Sequence, residues 1–179
     1  IDSLIEGDVT LDGDPDDFRI DVYDGVDNTG MYLGYSSINC FHSVVPASIM
    51  EFYDYIGVER SVGSRPETNY VALRSLLSVK YLLNPTSQKS FIDDETNEPS
   101  MNGFSYLKTD CNYYVYQNNN YIPYGFSYDY YLTYDFLEDY SNQNRVNMML
   151  KGMLLNDKQI KKYGHLMQDI ESIYDNYLE

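Results

Sequence analysis

The sequence has few basic residues, few histidines and cysteines, no tryptophan and no long hydrophobic run. Its 179 residues include 12 Lys and Arg against 28 Asp and Glu, which gives a net charge of −16. This balance excludes a nucleic-acid-binding protein, because such proteins need a basic surface. It also argues against electrostatic docking on anionic lipid headgroups. We expect an acidic, well-solvated surface instead.

Cysteine and histidine are too sparse to indicate a metal centre or a catalytic motif. Cys40 and Cys111 lack metal-ligand spacing, so we expect two buried thiols, although one disulfide would suit an oxidising compartment. His42 and His165 are the two histidines, and no G-x-S-x-G motif accompanies them. We therefore assign no catalytic residue, no metal ligand and no cofactor.

An acidic turn near the start resembles the first half of a calcium-binding loop. Asp12, Asp14 and Asp16 stand at alternate positions, but the glycine and the glutamate that such a loop needs later are missing. We interpret residues 1–16 as an acidic, exposed lead-in.

No apolar stretch approaches the ~20 residues that a membrane-spanning helix needs. No basic segment followed by an apolar one indicates a signal peptide, and the chain begins at Ile1 rather than at methionine. We therefore expect a segment cut from a longer protein.

Hydrophobic periodicity predicts an α+β fold with a mixed sheet flanked by two or three helices. Residues 17–132 form the predicted α+β domain, and residues 133–179 form a C-terminal helical segment. Residues 84–103 are predicted to be a loose loop. The predicted strands are 18–23, 31–38, 79–83, 104–110, 113–118 and 125–132. The predicted helices are 45–57, 70–79, 144–155 and 158–179, and Ser141 or Asn144 is the predicted cap of the third helix.

The strand at 79–83 is predicted to be buried near the centre of the sheet. Val79, Tyr81 and Leu83 alternate with Lys80 and Leu82, and a predicted helix leads directly into the strand. A helix that joins a buried strand without a loop is typical of α/β packing.

Tyrosine supplies most of the aromatic surface, with 21 Tyr against 7 Phe. Five of the tyrosines lie in "NYYVYQNNNYIPYGF" (112–126), where aromatic residues alternate with polar ones around an Asn-rich turn. A tyrosine ring packs like an apolar residue while its hydroxyl stays hydrated. We expect these rings to cover both faces of an antiparallel sheet.

Three stretches, in this order, resemble the YfhO family of bacterial integral membrane proteins. They are "FRIDV" followed by "YSSINCFHSVVPASIMEFYDYIG", then "ALRSLLSVKYLL", then "YYVYQNNNYIPYGF". The resemblance covers roughly residues 17–155.

The resemblance implies a polytopic membrane protein with a large soluble region outside the bacterial membrane. Such proteins resemble multi-span glycosyltransferases that use lipid-linked sugars and glycosylate wall polymers such as lipoteichoic acid. The catalytic carboxylate of that class lies on an early loop near the membrane, outside this segment. The implied partners are the membrane-embedded remainder of the same chain and a lipid-phosphate sugar or wall polymer. The segment itself is then extracytoplasmic and not catalytic alone.

A cation-rich stretch is the best candidate for ligand binding. Arg60, Arg65 and Arg74 fall within fifteen residues of an otherwise acidic chain, and His42 lies upstream. Arginine suits the bidentate recognition of phosphate, so a lipid phosphate or polymer phosphate fits here. The alternative is that these arginines pair with neighbouring carboxylates.

Two other functions remain open from the sequence. A free-standing carbohydrate-binding or adhesion module would use the tyrosine-rich face for sugars. An independent hydrolase would need a nucleophile or a convergent pair of acids, and the sequence indicates neither.

Overall fold

A four-stranded sheet is the centre of the first of two units into which the chain folds. The computed structural model describes residues 9–23, 25–59 and 62–175, and the units divide between Tyr124 and Gly125. The elements of the first unit are β1 (Arg19–Val22), α1 (Thr29–Tyr32), β2 (Cys40–Phe41), α2 (Ala47–Tyr55), β3 (Gly63–Ser64), α3 (Val71–Leu76), β4 (Val79–Pro85), β5 (Phe104–Asp110) and β6 (Tyr113–Asn118).

The strands of this sheet lie in the order β1-β4-β6-β5 and combine both directions of pairing. β1 runs parallel to β4, whereas β4, β6 and β5 pair antiparallel. A parallel pair needs a long crossover connection, and the chain between β1 and β4 supplies it with α1, α2 and α3. The predicted α+β fold with a mixed sheet and flanking helices is confirmed.

Strand β4 is buried in the middle of the sheet, as predicted. The strand has hydrogen-bonded neighbours on both edges. Leu82 is 0% exposed and Tyr81 is 2% exposed, because a core cluster covers each face of the sheet. Ser78 has a φ of 58°, and this left-handed residue turns the chain between α3 and β4. The direct passage from helix to strand is therefore also confirmed.

Apolar side chains cover both faces of the sheet. One cluster contains Phe18, Ile20 and Val22, which alternate along the predicted strand 18–23. The other contains Tyr23, Leu82, Phe91, Met101, Phe104 and Tyr116. Tyr113 belongs to the first cluster and Tyr116 to the second. Tyrosines of β6 therefore pack on both faces, as the alternating pattern predicts.

The acidic lead-in is not exposed throughout. Val9 is 3% exposed and Leu11 is 6% exposed, and both join the first cluster. The backbone N–H of Thr10 donates to Asp110 Oδ2 at 3.0 Å, while Lys80 Nζ donates to the carbonyl of Asp12 at 2.7 Å. The expected exposure is wrong for Val9 and Leu11, because these two alternating apolar side chains outweigh the acidic surroundings, whereas Thr10 between them is exposed. Residues 12–17 are exposed.

Residues 86–103 are better anchored than a loose loop. Phe91 and Met101 are 0% and 2% exposed, and an isolated antiparallel bridge joins Ile92 to Pro99. The local polar composition predicted a loop correctly, but two widely separated apolar side chains fix it on the sheet.

The strand predicted at 31–38 is wrong. Helix α1 occupies its start, Gly34 turns the chain with a φ of 77°, and Ser37 makes an isolated bridge to Ile20. Gly30 also allows a close approach, because a Cβ there would lie 2.6 Å from the Cβ of Ser37. Glycines at both ends of a short segment favour a tight bend over a strand.

The second unit contains a small parallel sheet, which the sequence analysis did not predict. Its strand order is β8-β7-β9, and β7 pairs parallel with both neighbours. The elements of this unit are β7 (Tyr130–Leu132), α4 (Tyr134–Leu137), α5 (Asn142–Met149), β8 (Met153–Leu154), α6 (Asp157–Tyr163), a 3₁₀ turn (Gly164–Leu166), β9 (Gln168–Asp169) and α7 (Glu171–Asp175).

Of the two helices predicted for this unit, 144–155 ends early, at Met149, and 158–179 is interrupted after Tyr163. Ser141 caps α5, since its hydroxyl accepts from the N–H of Asn144 at 3.4 Å, and this was one of the two predicted caps. The helix ends before Gly152, and Asn156 begins α6 with a capping box. Capping and glycine signals therefore outweigh the apolar spacing that suggested continuous helices.

The two cysteines differ in exposure. Both are thiols, so the predicted absence of a disulfide between them is confirmed. Cys40 is half-buried and Cys111 is exposed, and the expected burial is therefore wrong. Cys111 has a φ of 48° in the turn between β5 and β6, where a tight turn projects side chains into solvent.

We expect Cys111 to react before Cys40 when the native protein is titrated with a chromogenic thiol reagent, because reaction requires access to the sulfur. Two equivalents should react in denaturant without reductant. Equal native rates, or fewer than two reactive groups in denaturant, would contradict this assignment.

Candidate functional site

Arg74 is an internal structural residue. It is 2% exposed, and its Nε donates to Asp21 Oδ2 at 2.7 Å. Nη1 donates to the carbonyls of Glu67 and Tyr70 at 3.0 and 2.9 Å, and Nη2 donates to the carbonyl of Pro66 at 3.4 Å. Because Asp21 lies in β1 and Arg74 in α3, the pair connects the sheet to the helix. The guanidinium faces the protein rather than a ligand.

Arg65 is accessible but already engaged by a carboxylate. Its side chain is 72% exposed, and Nε and Nη2 donate to the two oxygens of Asp27 at 2.9 and 2.6 Å. These hydrogen bonds lower the pKa of the Asp27 carboxyl and raise that of Arg65. Glu59 and Glu67 line the same cavity of about 370 Å³. Three carboxylates around one arginine disfavour an additional anion.

The predicted candidates do not form one cluster. β2 and β3 make a two-stranded antiparallel ribbon, in which Cys40 lies opposite Ser64 and His42 N donates to the carbonyl of Val62 at 2.7 Å. Side chains alternate between the two faces of such a ribbon. His42 therefore lines one cavity and Arg65 lines another. Arg60 lies outside the described residues.

The cavity beside His42 is a groove of about 450 Å³ between the ribbon and helix α2, and we call it the α2 groove. Its volume is within the usual range for small-molecule sites. Four of its polar side chains are Arg19, His42, Ser48 and Ser64. Its wall is mostly apolar and includes Ile38, Val44, Val45, Ile49, Phe52 and Leu77.

The polar groups of the α2 groove suit a negatively charged or hydrogen-bonding headgroup. Arg19 Nη1 donates a hydrogen bond to the carbonyl of Leu77 at 2.9 Å. The guanidinium lies 5.0 Å from the centre of the Tyr124 ring. Helix α2 begins after Pro46 without a side-chain cap, so its first N–H groups carry the positive end of the helix dipole.

Ser64 provides a second, independent sign of a ligand. It is 2% exposed, and its Oγ has no hydrogen-bond partner among the described residues. A buried hydroxyl without a partner is unfavourable, and a ligand in the groove would relieve that cost.

The α2 groove also differs in charge from three other cavities of this acidic chain. Among the described residues, no carboxylate lines it. Carboxylates line the cavity beside Arg65, a cavity of about 560 Å³ beside residues 88–99 and a cavity of about 640 Å³ in the second unit. Within the described ranges, no three His, Cys, Asp or Glu side chains are grouped so that they could hold a metal ion.

Sequence reasoning found His42 but missed Arg19 and Ser64. Arg19 begins a short strand whose neighbour Asp21 is also polar, and this pattern indicates an outward face. Ser64 carries no local signal, because only its pairing with Cys40 across the ribbon brings it to the groove.

A comparison with known protein families matches residues 14–177 to the family described as bacterial membrane protein YfhO. No curated protein and no solved structure matches the chain. In the part of the chain that the structure describes, no helix is both long and apolar enough to cross a bilayer. Because the match covers most of the sequence, the resemblance in the three stretches is confirmed, and the chain belongs to the YfhO family of bacterial membrane proteins.

Proposed function

We propose that these residues form the extracytoplasmic part of a bacterial membrane protein and recognise a substrate for the transfer of lipid-linked sugars to a wall polymer such as lipoteichoic acid. The membrane-embedded remainder of the same chain is the partner that carries out the transfer. The α2 groove is the proposed recognition site. The observation that supports it is that none of its described lining residues is a carboxylate, in a chain with a net charge of −16.

A lipid phosphate fits the two halves of this groove. Its hydrocarbon contacts the apolar wall, where burial is favourable at about 25 cal/mol per Å² of apolar surface. Its phosphate is proposed to be bound by three groups. Arg19 offers a positive charge, the N-terminus of α2 offers backbone N–H groups, and the Ser64 hydroxyl offers one O–H donor. Two of the originally predicted arginines serve other roles here, since Arg74 pairs internally and Arg65 faces Asp27.

The segment by itself is proposed not to transfer sugar or hydrolyse glycosides. Such chemistry needs a carboxylate positioned against the acceptor and groups that stabilise the leaving phosphate. The described residues of the α2 groove offer cationic and hydroxyl groups for binding, and none of them is a carboxylate that would act as a base.

Titrating the 179-residue chain with monomeric decyl phosphate should give saturable binding by calorimetry. Arg19→Gln should weaken it at least about tenfold, because a hydrogen bond to a charged group contributes about 1.5–3 kcal/mol. His42→Gln tests the groove at an exposed position and should also weaken binding. Inorganic phosphate should bind more weakly than decyl phosphate, since it lacks the hydrocarbon.

Arg65→Gln is the matched control, because Arg65 is an exposed arginine on the opposite face of the same ribbon. It should leave the affinity for decyl phosphate unchanged. If Arg65→Gln loses binding while Arg19→Gln and His42→Gln bind normally, the ligand binds in the cavity beside Asp27 and not in the α2 groove. Turnover of a lipid-linked sugar by this chain alone would refute the non-catalytic role.

A further inference from the structure

A second groove in the first unit has the composition of a sugar-binding site. It lies between residues 88–99 and strands β5 and β6, has a volume of about 560 Å³, and is called the tyrosine groove below. Tyr106, Tyr114 and Tyr116 contribute rings to it. Its polar side chains include two amides, two carboxylates and one ammonium group, from Gln88, Asn97, Asp94, Glu98 and Lys89.

The aromatic part of the groove is accessible from solvent. Tyr106 is 58% exposed, whereas Tyr116 is 3% exposed, and the two rings meet edge to face with centroids 5.9 Å apart. The hydroxyl of Tyr106 lies 2.9 Å from Thr109 Oγ1, which restrains the ring. A buried tyrosine therefore supports an exposed one, and the exposed ring offers a flat apolar surface to a ligand.

The polar side of the groove is carried by an ordered turn. Asp93 Oδ1 accepts from the N–H groups of Glu95 and Thr96, each at 2.9 Å, and from the Thr96 hydroxyl at 3.1 Å. These hydrogen bonds lower the pKa of the Asp93 carboxyl. The N–H of Asp93 donates to the carbonyl of Glu98 at 2.9 Å, and this closes the turn.

Because the turn is already ordered, the protein loses less conformational entropy when a ligand binds. Asn97 has a φ of 58° at the end of this turn, and its side chain and that of Glu98 line the groove. Phe91, which is 0% exposed, holds the preceding residues on the sheet. The amide and the carboxylate are thus presented on a preformed backbone, which favours affinity.

We propose that the tyrosine groove binds an uncharged carbohydrate. One face of a sugar ring is a row of C–H groups that packs on a tyrosine, and its hydroxyls both donate and accept hydrogen bonds. Carboxylates accept from those hydroxyls and amides do both. Asp94 and Glu98 outnumber Lys89, the lysine of the lining, and repel phosphorylated or otherwise anionic glycans, so the groove favours neutral ones. This site is distinct from the α2 groove, and its ligand is of another class.

Chemical-shift mapping with isotopically labelled protein tests the site. Millimolar chitotriose, maltotriose and cellotriose are the neutral probes, and a sulfated chitotriose is the anionic one. At least one neutral trisaccharide should shift backbone signals of residues 88–99, Tyr106 and Tyr114. The sulfated probe should bind about tenfold more weakly or worse, and Glu98→Gln should reduce that difference.

Two variants separate binding from folding. Tyr106→Ala should weaken the binding of the neutral trisaccharide about tenfold, since an aromatic contact contributes about a kcal/mol beyond its buried area. Asn97→Gly removes the amide while glycine accepts the positive φ without strain, so the turn should persist and the affinity should fall. Tyr163→Ala, at an exposed tyrosine of the second unit, is the control and should have no effect.

Three results would overturn the proposal: no shift with any of the three neutral probes, shifts confined to residues outside the groove, or unchanged binding in both Tyr106→Ala and Asn97→Gly. Equal affinity for the sulfated probe would refute the charge selection. Because decyl phosphate binding is measured with different variants, either site can fail while the other stands.

Discussion

Replacing Arg74 by methionine should lower the free energy of unfolding by about 3–5 kcal/mol, which is the usual cost of removing one partner from a buried ion pair. Asp21 is 0% exposed and receives the Nε hydrogen bond of Arg74 at 2.7 Å. Without Arg74 this carboxylate loses its cationic partner in an apolar environment, and the carbonyls of Pro66, Glu67 and Tyr70 lose donors. Methionine keeps much of the side-chain volume, so the loss reports charge and hydrogen bonding rather than a cavity.

Urea unfolding followed by circular dichroism measures this change. The control is Arg65→Gln, which breaks the pair with Asp27 at the surface, where water replaces the lost contacts; its effect should be much smaller. The double variant Asp21→Leu with Arg74→Met removes both charges and should recover part of the stability. If Arg74→Met destabilises no more than Arg65→Gln does, the internal pair does not connect β1 to α3 as inferred.

Replacing Leu82 by aspartate should prevent the chain from folding at ordinary temperatures. Leu82 is 0% exposed in the central strand β4 and packs with Phe91, Phe104 and Tyr116. An unpaired carboxylate at this site is desolvated with no compensating partner, and the expected cost of at least about 4 kcal/mol is comparable with the total stability of many domains.

A graded series distinguishes local damage from loss of the fold. Leu82→Ala should cost about 2–5 kcal/mol, as other buried leucines do, and remain measurable by urea unfolding. Leu107→Asp is the matched control, because Leu107 is 41% exposed in the outer strand β5. It should change the free energy of unfolding by about 0.5 kcal/mol. A folded Leu82→Asp protein with a native near-ultraviolet spectrum would show that β4 is not the centre of the core.

The α2 groove and the tyrosine groove lie in the same unit but differ in the chemistry of their lining residues. The described lining of the first has no carboxylate and combines an apolar wall with cationic and hydroxyl groups. The second combines aromatic rings with amides and carboxylates. The two titrations decide these assignments independently.

The sequence by itself determined the features that depend on short-range pattern. Alternation placed β1, β4, β5 and β6, and the helical periodicity with flanking Pro46 and Gly57 placed α2. The same local patterns carried the resemblance to the YfhO family, which the match over residues 14–177 confirms. The amino-acid composition alone gave the net charge of −16 and therefore the acidic character. The positions of these strands and of the helix depend on neighbours within a few residues, and a sequence displays such neighbours directly.

Only the tertiary structure decided which charged groups face solvent and which side chains meet. Arg65 and Arg74 are alike in the sequence, yet one is exposed beside Asp27 and the other is buried against Asp21, because the partner in each case lies on a distant segment. Parallel pairing in the second unit, burial of Val9 and Leu11, and the approach of Ser64 to the α2 groove have the same origin. Contacts between remote segments follow from how sheets and loops pack together, and no local pattern encodes them.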